Sequence, residues 1–349
     1  ESGNADWKLS LGSHLASGVP GTVDGLLKLH ARYGSKPLAD LLEPAIEMAE
    51  QGIMIEPEQV ARFNRLAGKP GQWAATVDKF SLGGQAFTGR ERWKQQLLAR
   101  TLREIAAKGR QGFYEGWVAE SIAREMSRGG GLISLDDLKR YESVWRDPIR
   151  TSYRGYDIWS MGPPSSGGIL IAQILNMLEP YNLGAMGWGS ARLTHLVVEA
   201  ARRAYADRSV HLGDPDFWEV PTAKLMDVNY ARERMKDFDP ERATLSRELA
   251  AGQWTDESED TTHYSLIDKD GMMVAITTTL NSSFGSQLVI PGTGILMNNE
   301  MDDFSAQPGV PNQFGLLGAE ANAIQPMKRM LSSMTPTLVT RDGVPFLIT

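Results

Sequence analysis

The chain changes periodicity once, and that change limits what it can fold into. From Gly21 to roughly Lys236 apolar residues recur at helical spacing, in runs such as Val23–Arg32, Leu38–Gln51, Gln95–Lys108, Trp117–Arg128 and Leu193–Ser209. Gly- and Pro-marked turns separate them. Asp239 to Asp260 is polar, Glu/Asp/Ser-rich and poor in large apolar residues, which reads as an exposed connector. Beyond it the pattern becomes that of strands, over Thr261–Asp268, Met273–Asn281, Thr337–Thr340 and Pro345–Thr349. A short earlier strand, Tyr156–Met161, leads into the loop GPPSSGG at 162–168 and an apolar helix from Ile169. No repeat period is visible, which argues against solenoids and propellers.

At 349 residues with 42% apolar side chains, the chain can fill either two domains or one large layered domain. The net charge is −7, and Lys and Arg are dispersed, so nucleic acid is not expected as the main partner. The chain has no cysteine, which excludes disulfides, thiolate zinc sites and a cysteine nucleophile. Apolar runs such as Gly168 to Leu178 are interrupted by Gln or Asn well before membrane-spanning length, so a soluble protein is expected.

The two strands flanking Lys269-Asp270-Gly271 carry the first sign of chemistry. A three-residue hairpin loop, with a type I turn followed by a left-handed glycine, pairs Asp268 with Met272. In that register Thr261 faces Thr279, His263 faces Thr277 and Ser265 faces Ala275. Thr277, Thr279 and Asn281 then share a polar side, with Val274, Ile276 and Leu280 on the other. A ladder of threonines is by itself an ordinary sheet stabiliser. Two further stretches add to it. GTGILMNNEMDDFS at 292–305 gathers Glu300, Asp302 and Asp303 after a Gly-rich bend, and KRMLSSMTP at 328–336 pairs Ser332 with Ser333. Separately the acids read as a solvated loop or an oxygen-ligand metal site, and the serines as a helix cap. Together with a polar strand they suit a zwitterion, carboxylates for an ammonium and hydroxyls for a carboxylate.

These residues resemble the γ-glutamyltranspeptidase family of N-terminal-nucleophile hydrolases. The likeness runs through SHLASGVPGTVDGL at 13–26, LLEPAIEMAEQGI at 41–53, GGLISLDDLKRYE at 130–142, PPSSGG at 163–168, AYADRSVHLGDPDF at 204–217, TTHYSLIDKDG at 261–271, TLNSSFGS at 279–286 and NNEMDDFSAQPGVPNQFGL at 298–316. The resemblance implies an α+β fold, the four-layer αββα sandwich. Residues 1–260 would be the helix-rich large-subunit portion and 261–349 the strand-rich small-subunit portion of one composite domain. It also implies a precursor that cleaves itself between Asp260 and Thr261. The freed Thr261 would supply the nucleophilic hydroxyl and, through its own α-amine with pKa around 8, the base.

By the same resemblance Thr279 hydrogen-bonds the nucleophile, Asn281, Glu300 and Asp303 hold the α-amino group of a γ-glutamyl moiety, and Ser332 and Ser333 receive its α-carboxylate. Asp302 matches no direct contact and stands as a loop or turn residue. His263 is read as structural, because the family mechanism uses the amine. The serines of GPPSSGG form no GxSxG elbow, and that loop is taken as a backbone wall near the site. Substrates implied are glutathione and related γ-glutamyl compounds, with water, amino acids or peptides as acceptors and no metal or organic cofactor. The two fragments would stay associated as a heterodimer, in the periplasm or outside the cell. Alternatives are a cephalosporin or glutaryl acylase, a poly-γ-glutamate depolymerase, and an uncleaved inactive binding homologue. The family's N-terminal Arg-bearing segment and its GSPGG-like oxyanion stretch have no counterpart in these residues, and losing such donors costs a factor of about a hundred or more. A longer protein is therefore expected. Met330 also stands where family members commonly have Pro.

Overall fold

Helices in the N-terminal part start at residues that fix the backbone and stop at residues that leave it. The computed structural model describes residues 6–245, 249 and 261–349. The chain packs into two units, one of Asp6–Trp145 with Leu280–Met301, the other of Arg146–Thr279 with Asp302–Thr349. In the first, α1 (Thr22–Tyr33), α2 (Leu38–Gln51), α4 (Gln96–Lys108) and α5 (Gly116–Gly129) follow the sequence periodicity within one or two residues, while α3 (Pro57–Ala67) was not among the runs read from the sequence. α2 enters from Pro37 and ends at Gly52, whose φ of +78° an L side chain adopts only with strain. α3 opens on Pro57, with Glu56 and Gln59 forming a reciprocal capping box.

The core of this unit joins Phe113, Tyr114, Val118, Ile122 and Met126 to Leu288, Ile290 and Met297 from the later segment. That segment doubles back on itself. Ser286 N donates to Met297 O and Met297 N to Leu288 O, at 3.0 and 2.9 Å. The bend needs Gly285, because at φ +49° a Cβ would stand 2.1 Å from Met297 O.

Lys79 is a largely buried cation of this unit. Its ammonium lies over Phe80 and Trp93 and donates to Gln95 Oε1 and Gly294 O. Burial pushes its pKa down from 10.5 to about 8. Between those values the unfolded chain still holds a proton that the folded chain has released, so stability rises with pH across that window. At 1.36 kcal/mol per pH unit the full increment is about 3 kcal/mol. Urea unfolding between pH 8 and 10.5 is expected to show it in the wild type but not in Lys79→Met. Parallel curves for the two proteins would refute this account of Lys79.

In the second unit β1 (Ile149–Tyr153) and β2 (Tyr156–Ser160) form a hairpin about Arg154-Gly155, both at positive φ. The periodicity reading missed β1. Its signal was the two-residue turn, which selects two left-handed positions. α6 (Gly167–Leu178), α7 (Ala191–His211) and α8 (Val228–Arg234) follow, then the hairpin β3 (Thr261–Ile267) and β4 (Met273–Thr279), and finally β5 (Thr337–Arg341) and β6 (Val344–Ile348). Strand order in the four-stranded antiparallel sheet is β1-β2-β5-β6, and β3-β4 is a separate two-stranded sheet. Ile169 and Leu170 of α6 pack with Ala204 of α7 and Leu331, while Met177 and Leu178 pack with Leu196, Ala200 and Ala231. α7 also buries charge. Arg203, fully buried, donates to Glu199 Oε2 on the previous turn, to Asp237 and to Thr244 Oγ1. Mixed helix and sheet of this order make the fold α+β, as expected.

Candidate active site

The hairpin register follows from its turn. Asp268 N donates to Met272 O at 3.0 Å, Gly271 sits at φ +86°, and Asp268 Oδ1 accepts from Asp270 N and Met272 N at 2.9 and 2.8 Å. Seven pairs follow from Ile267↔Met273 to Thr261↔Thr279. Thr261 therefore begins β3 directly opposite Thr279, as the loop length requires. His263 spends both ring nitrogens within the hairpin, Nδ1 on Thr277 Oγ1 at 2.7 Å and Nε2 on Ser265 Oγ at 3.0 Å. That matches the structural role expected of it. Every residue of β3 is exposed, Thr261 included. Asp260 lies outside the described residues.

The hydroxyl pair Ser332-Ser333 is held from several directions. Ser332 N donates to Pro164 O and Ser166 N to Ser332 O, both at 2.8 Å, so that Ser165 and Ser332 form a parallel bridge. Ser165 Oγ donates to Met334 O at 2.6 Å and Ser166 Oγ to Ser332 O at 3.0 Å. The loop 162–168, expected as a wall, is thus a splint for the serine run, with Pro163-Pro164 in the cis form. Upstream, the buried carboxylate of Asp214 accepts Arg329 N at 2.8 Å and is braced by Arg146 at 3.3 Å. Arg146 also holds the neighbouring Asp216, by a hydrogen bond that keeps its pKa below the usual carboxylate range. The two hydroxyl oxygens themselves are acceptors: Ser332 Oγ takes Met334 N at 3.1 Å, and Ser333 Oγ takes Arg208 Nη2 at 3.0 Å. Each hydroxyl proton is then directed away from those donors.

The acids lie in one 3₁₀ turn, Glu300–Asp303. Glu300 N donates to Asn298 Oδ1 at 3.1 Å, and Asn281, at φ +75° and buried, donates from Nδ2 to Asn299 O at 3.0 Å. These two residues belong to the first unit, and Thr261, Thr279, Asp303, Ser332 and Ser333 to the second. Within the second unit Asp303 and the serine run share one partner. Asn322, 4% exposed, donates from Nδ2 to Asp303 O at 2.7 Å and accepts Leu331 N on Oδ1 at 2.9 Å. Asp302, unassigned from sequence, is buried and accepts Gln313 N at 3.0 Å, so it anchors the loop that follows rather than facing a ligand.

Asn322, Arg208 and Asp214 went unassigned in the sequence. Their signal was faint: polar residues, one in an α-helix, one in a short 3₁₀ helix and one in a loop, whose partners lie 9 to 125 positions away. An apolar cleft of about 490 Å³, lined by Trp159, Met161, Leu338, Met273 and Ala275 among others, lies toward the turn end of the hairpin. Thr261 stands at the opposite end of the ladder. Among the described residues no cluster of His, Cys, Asp or Glu is arranged to hold a metal, and no helix is long and apolar enough to cross a membrane.

Comparison with known proteins places the chain in a family. Residues 1–349 match the family described as Gamma-glutamyltranspeptidase. The glutathione hydrolase proenzyme of Escherichia coli strain K12 is 45% identical over the whole of this chain, which spans 60% of that protein's length. A crystal structure of the Helicobacter pylori γ-glutamyltranspeptidase superposes with TM-score 0.69 at 40% identity, covering 71% of each chain. The cephalosporin acylase of Bacillus halodurans superposes with TM-score 0.80 at 28% identity, over 97% of this chain and 60% of that one.

Proposed function

Because the chain belongs to the γ-glutamyltranspeptidase family, with the fold of N-terminal-nucleophile hydrolases, we propose that it is the core of an autoprocessed γ-glutamyl hydrolase and transferase. Cleavage between Asp260 and Thr261 frees an α-amine that takes the Thr261 hydroxyl proton as that oxygen attacks the γ-amide of glutathione or a similar donor. The amine product leaves with a proton, and a γ-glutamyl ester remains on Thr261. Water or the amino group of an acceptor then attacks the ester and restores the threonine. Thr279 holds the nucleophile. Asn281, Glu300 and Asp303 take the donor's ammonium, and Ser332 and Ser333 its α-carboxylate.

The observation that carries this reading is the pairing of Thr261 with Thr279 at the head of a seven-pair ladder. It sits in the same unit as a serine pair whose hydroxyl oxygens already accept N–H groups. A carboxylate needs donors, and that arrangement leaves two protons to give. Association of the two fragments is supported by the bonds from residues 164–166, 208 and 214 to 329–334, which cross the proposed cut in sequence.

Intact-mass analysis of the incubated full-length protein, with assays on a γ-glutamyl anilide and a glutaryl-side-chain β-lactam, tests the reading. Two fragments splitting at 260/261 and preference for the anilide are expected. A single uncut species would overturn the nucleophile assignment. Preference for the β-lactam would assign the chain to the acylases instead.

A further inference from the structure

We propose that Arg208 is a positioning residue for the donor's α-carboxylate, acting through Ser333. This rests on the head-group assignment above and adds a residue to it. Arg208 is only 5% exposed, near the C-terminal end of α7. Its Nη2 donates to Ser333 Oγ at 3.0 Å and its Nε to Ser166 Oγ at 3.1 Å. Ser166 Oγ in turn donates to Ser332 O at 3.0 Å. One guanidinium therefore reaches both serines, Ser333 through its hydroxyl and Ser332 through the Ser166 relay.

The chemistry of guanidinium gives this contact a direction. Arginine has five N–H donors and no acceptor, and it stays protonated at any pH an enzyme meets. Ser333 Oγ can only accept from it, so the Ser333 hydroxyl proton points elsewhere. A neutral partner such as Asn or a second Ser would allow the opposite polarity, with Ser333 donating inward and presenting lone pairs to an incoming anion. Arg208 removes that option and polarises the O–H toward an acceptor. Its rigid fork also spans two serine oxygens at once, which a lysine ammonium on a flexible stem does less well.

The test compares two anilide donors that share the scissile amide and the amine: γ-glutamyl p-nitroanilide, and 4-aminobutyryl p-nitroanilide, which lacks the α-carboxylate. Arg208→Met and Arg208→Lys are prepared in the full-length protein, and cleavage at 260/261 is verified by mass. Wild type is expected to favour the carboxylate donor. Arg208→Met should lose roughly ten- to a hundredfold of that preference, the scale of a hydrogen bond to a charged group, mostly through KM. Turnover of the decarboxylated donor should change less than about threefold, well inside that scale. Arg208→Lys should recover part of the preference. A loss shared equally by both donors would make Arg208 merely structural and overturn the proposal. If Arg208→Met fails to fold, Arg208→Lys decides alone: unaltered discrimination against the decarboxylated donor refutes the role. Wild type that does not discriminate, or cleaves neither donor, refutes the head-group reading itself and Arg208's part with it.

Discussion

Thr261→Ala is expected to leave a single full-length chain and no measurable turnover. Both losses have the same cause. We assign to the Thr261 hydroxyl both the attack on the Asp260 carbonyl that splits the precursor and, once the amine is freed, the attack on the donor, and alanine has nothing to attack with. Removing a nucleophile of this kind costs on the order of 10⁶ in rate. The structure makes the result interpretable. Thr261 is exposed at the first position of β3, and six further pairs below it, from Thr262↔Thr278 to Ile267↔Met273, hold the register without it. Exposed substitutions of this sort shift stability by about half a kcal/mol or less. Far-UV circular dichroism and the unfolding midpoint should therefore match the wild type while cleavage is absent. Thr261→Ser, which keeps the hydroxyl, should still split and turn over. Cleavage at 260/261 in the alanine variant would place the nucleophile elsewhere.

What could be read in the sequence was what neighbours in the chain decide. The loop Lys269-Asp270-Gly271 fixed the whole β3-β4 ladder, because a left-handed glycine and a two-residue side-chain period leave one register that pairs Asp268 with Met272. Helix boundaries were likewise local, as at Leu38–Gln51, closed by Gly52. The support around Ser332 was not legible, since its partners come from 164–166, 208, 214 and 322 and no periodicity links them. Asp302 shows the same limit. Beside Asp303 in the sequence the two are alike, and it is the burial of Asp302 and its bond to Gln313 N that mark it as an anchor for the following loop. The stretch 162–168 had a composition that excluded two known motifs but no feature that foretold a splint.

Asn322→Leu is expected to be the most damaging change outside the residues placed on the substrate. Asn322 couples the two segments assigned to the donor's head group, its Nδ2 on Asp303 O and its Oδ1 under Leu331 N, while its backbone O accepts Ser305 N at 2.9 Å. Leucine branches at Cγ as asparagine does but is somewhat larger and has neither polar atom. The Leu331 N–H and the Asp303 carbonyl would each lose a buried partner, at about 1 to 3 kcal/mol apiece. The segments relieve that cost by moving, and a displacement of about 1 Å at a positioning contact is enough to lower rate by about 10². The expected result is a KM for the γ-glutamyl donor raised by about that factor, with cleavage at 260/261 intact because the β3-β4 ladder makes no use of Asn322. Asn322→Asp separates the two arms. Its carboxylate still accepts Leu331 N, so the serine run stays held, but it repels the Asp303 carbonyl it formerly bonded. KM should then rise by an intermediate amount. Equal KM in the wild type and Asn322→Leu, on protein confirmed folded by its unfolding midpoint, would show that the spacing of Asp303 and the serines does not depend on this carboxamide.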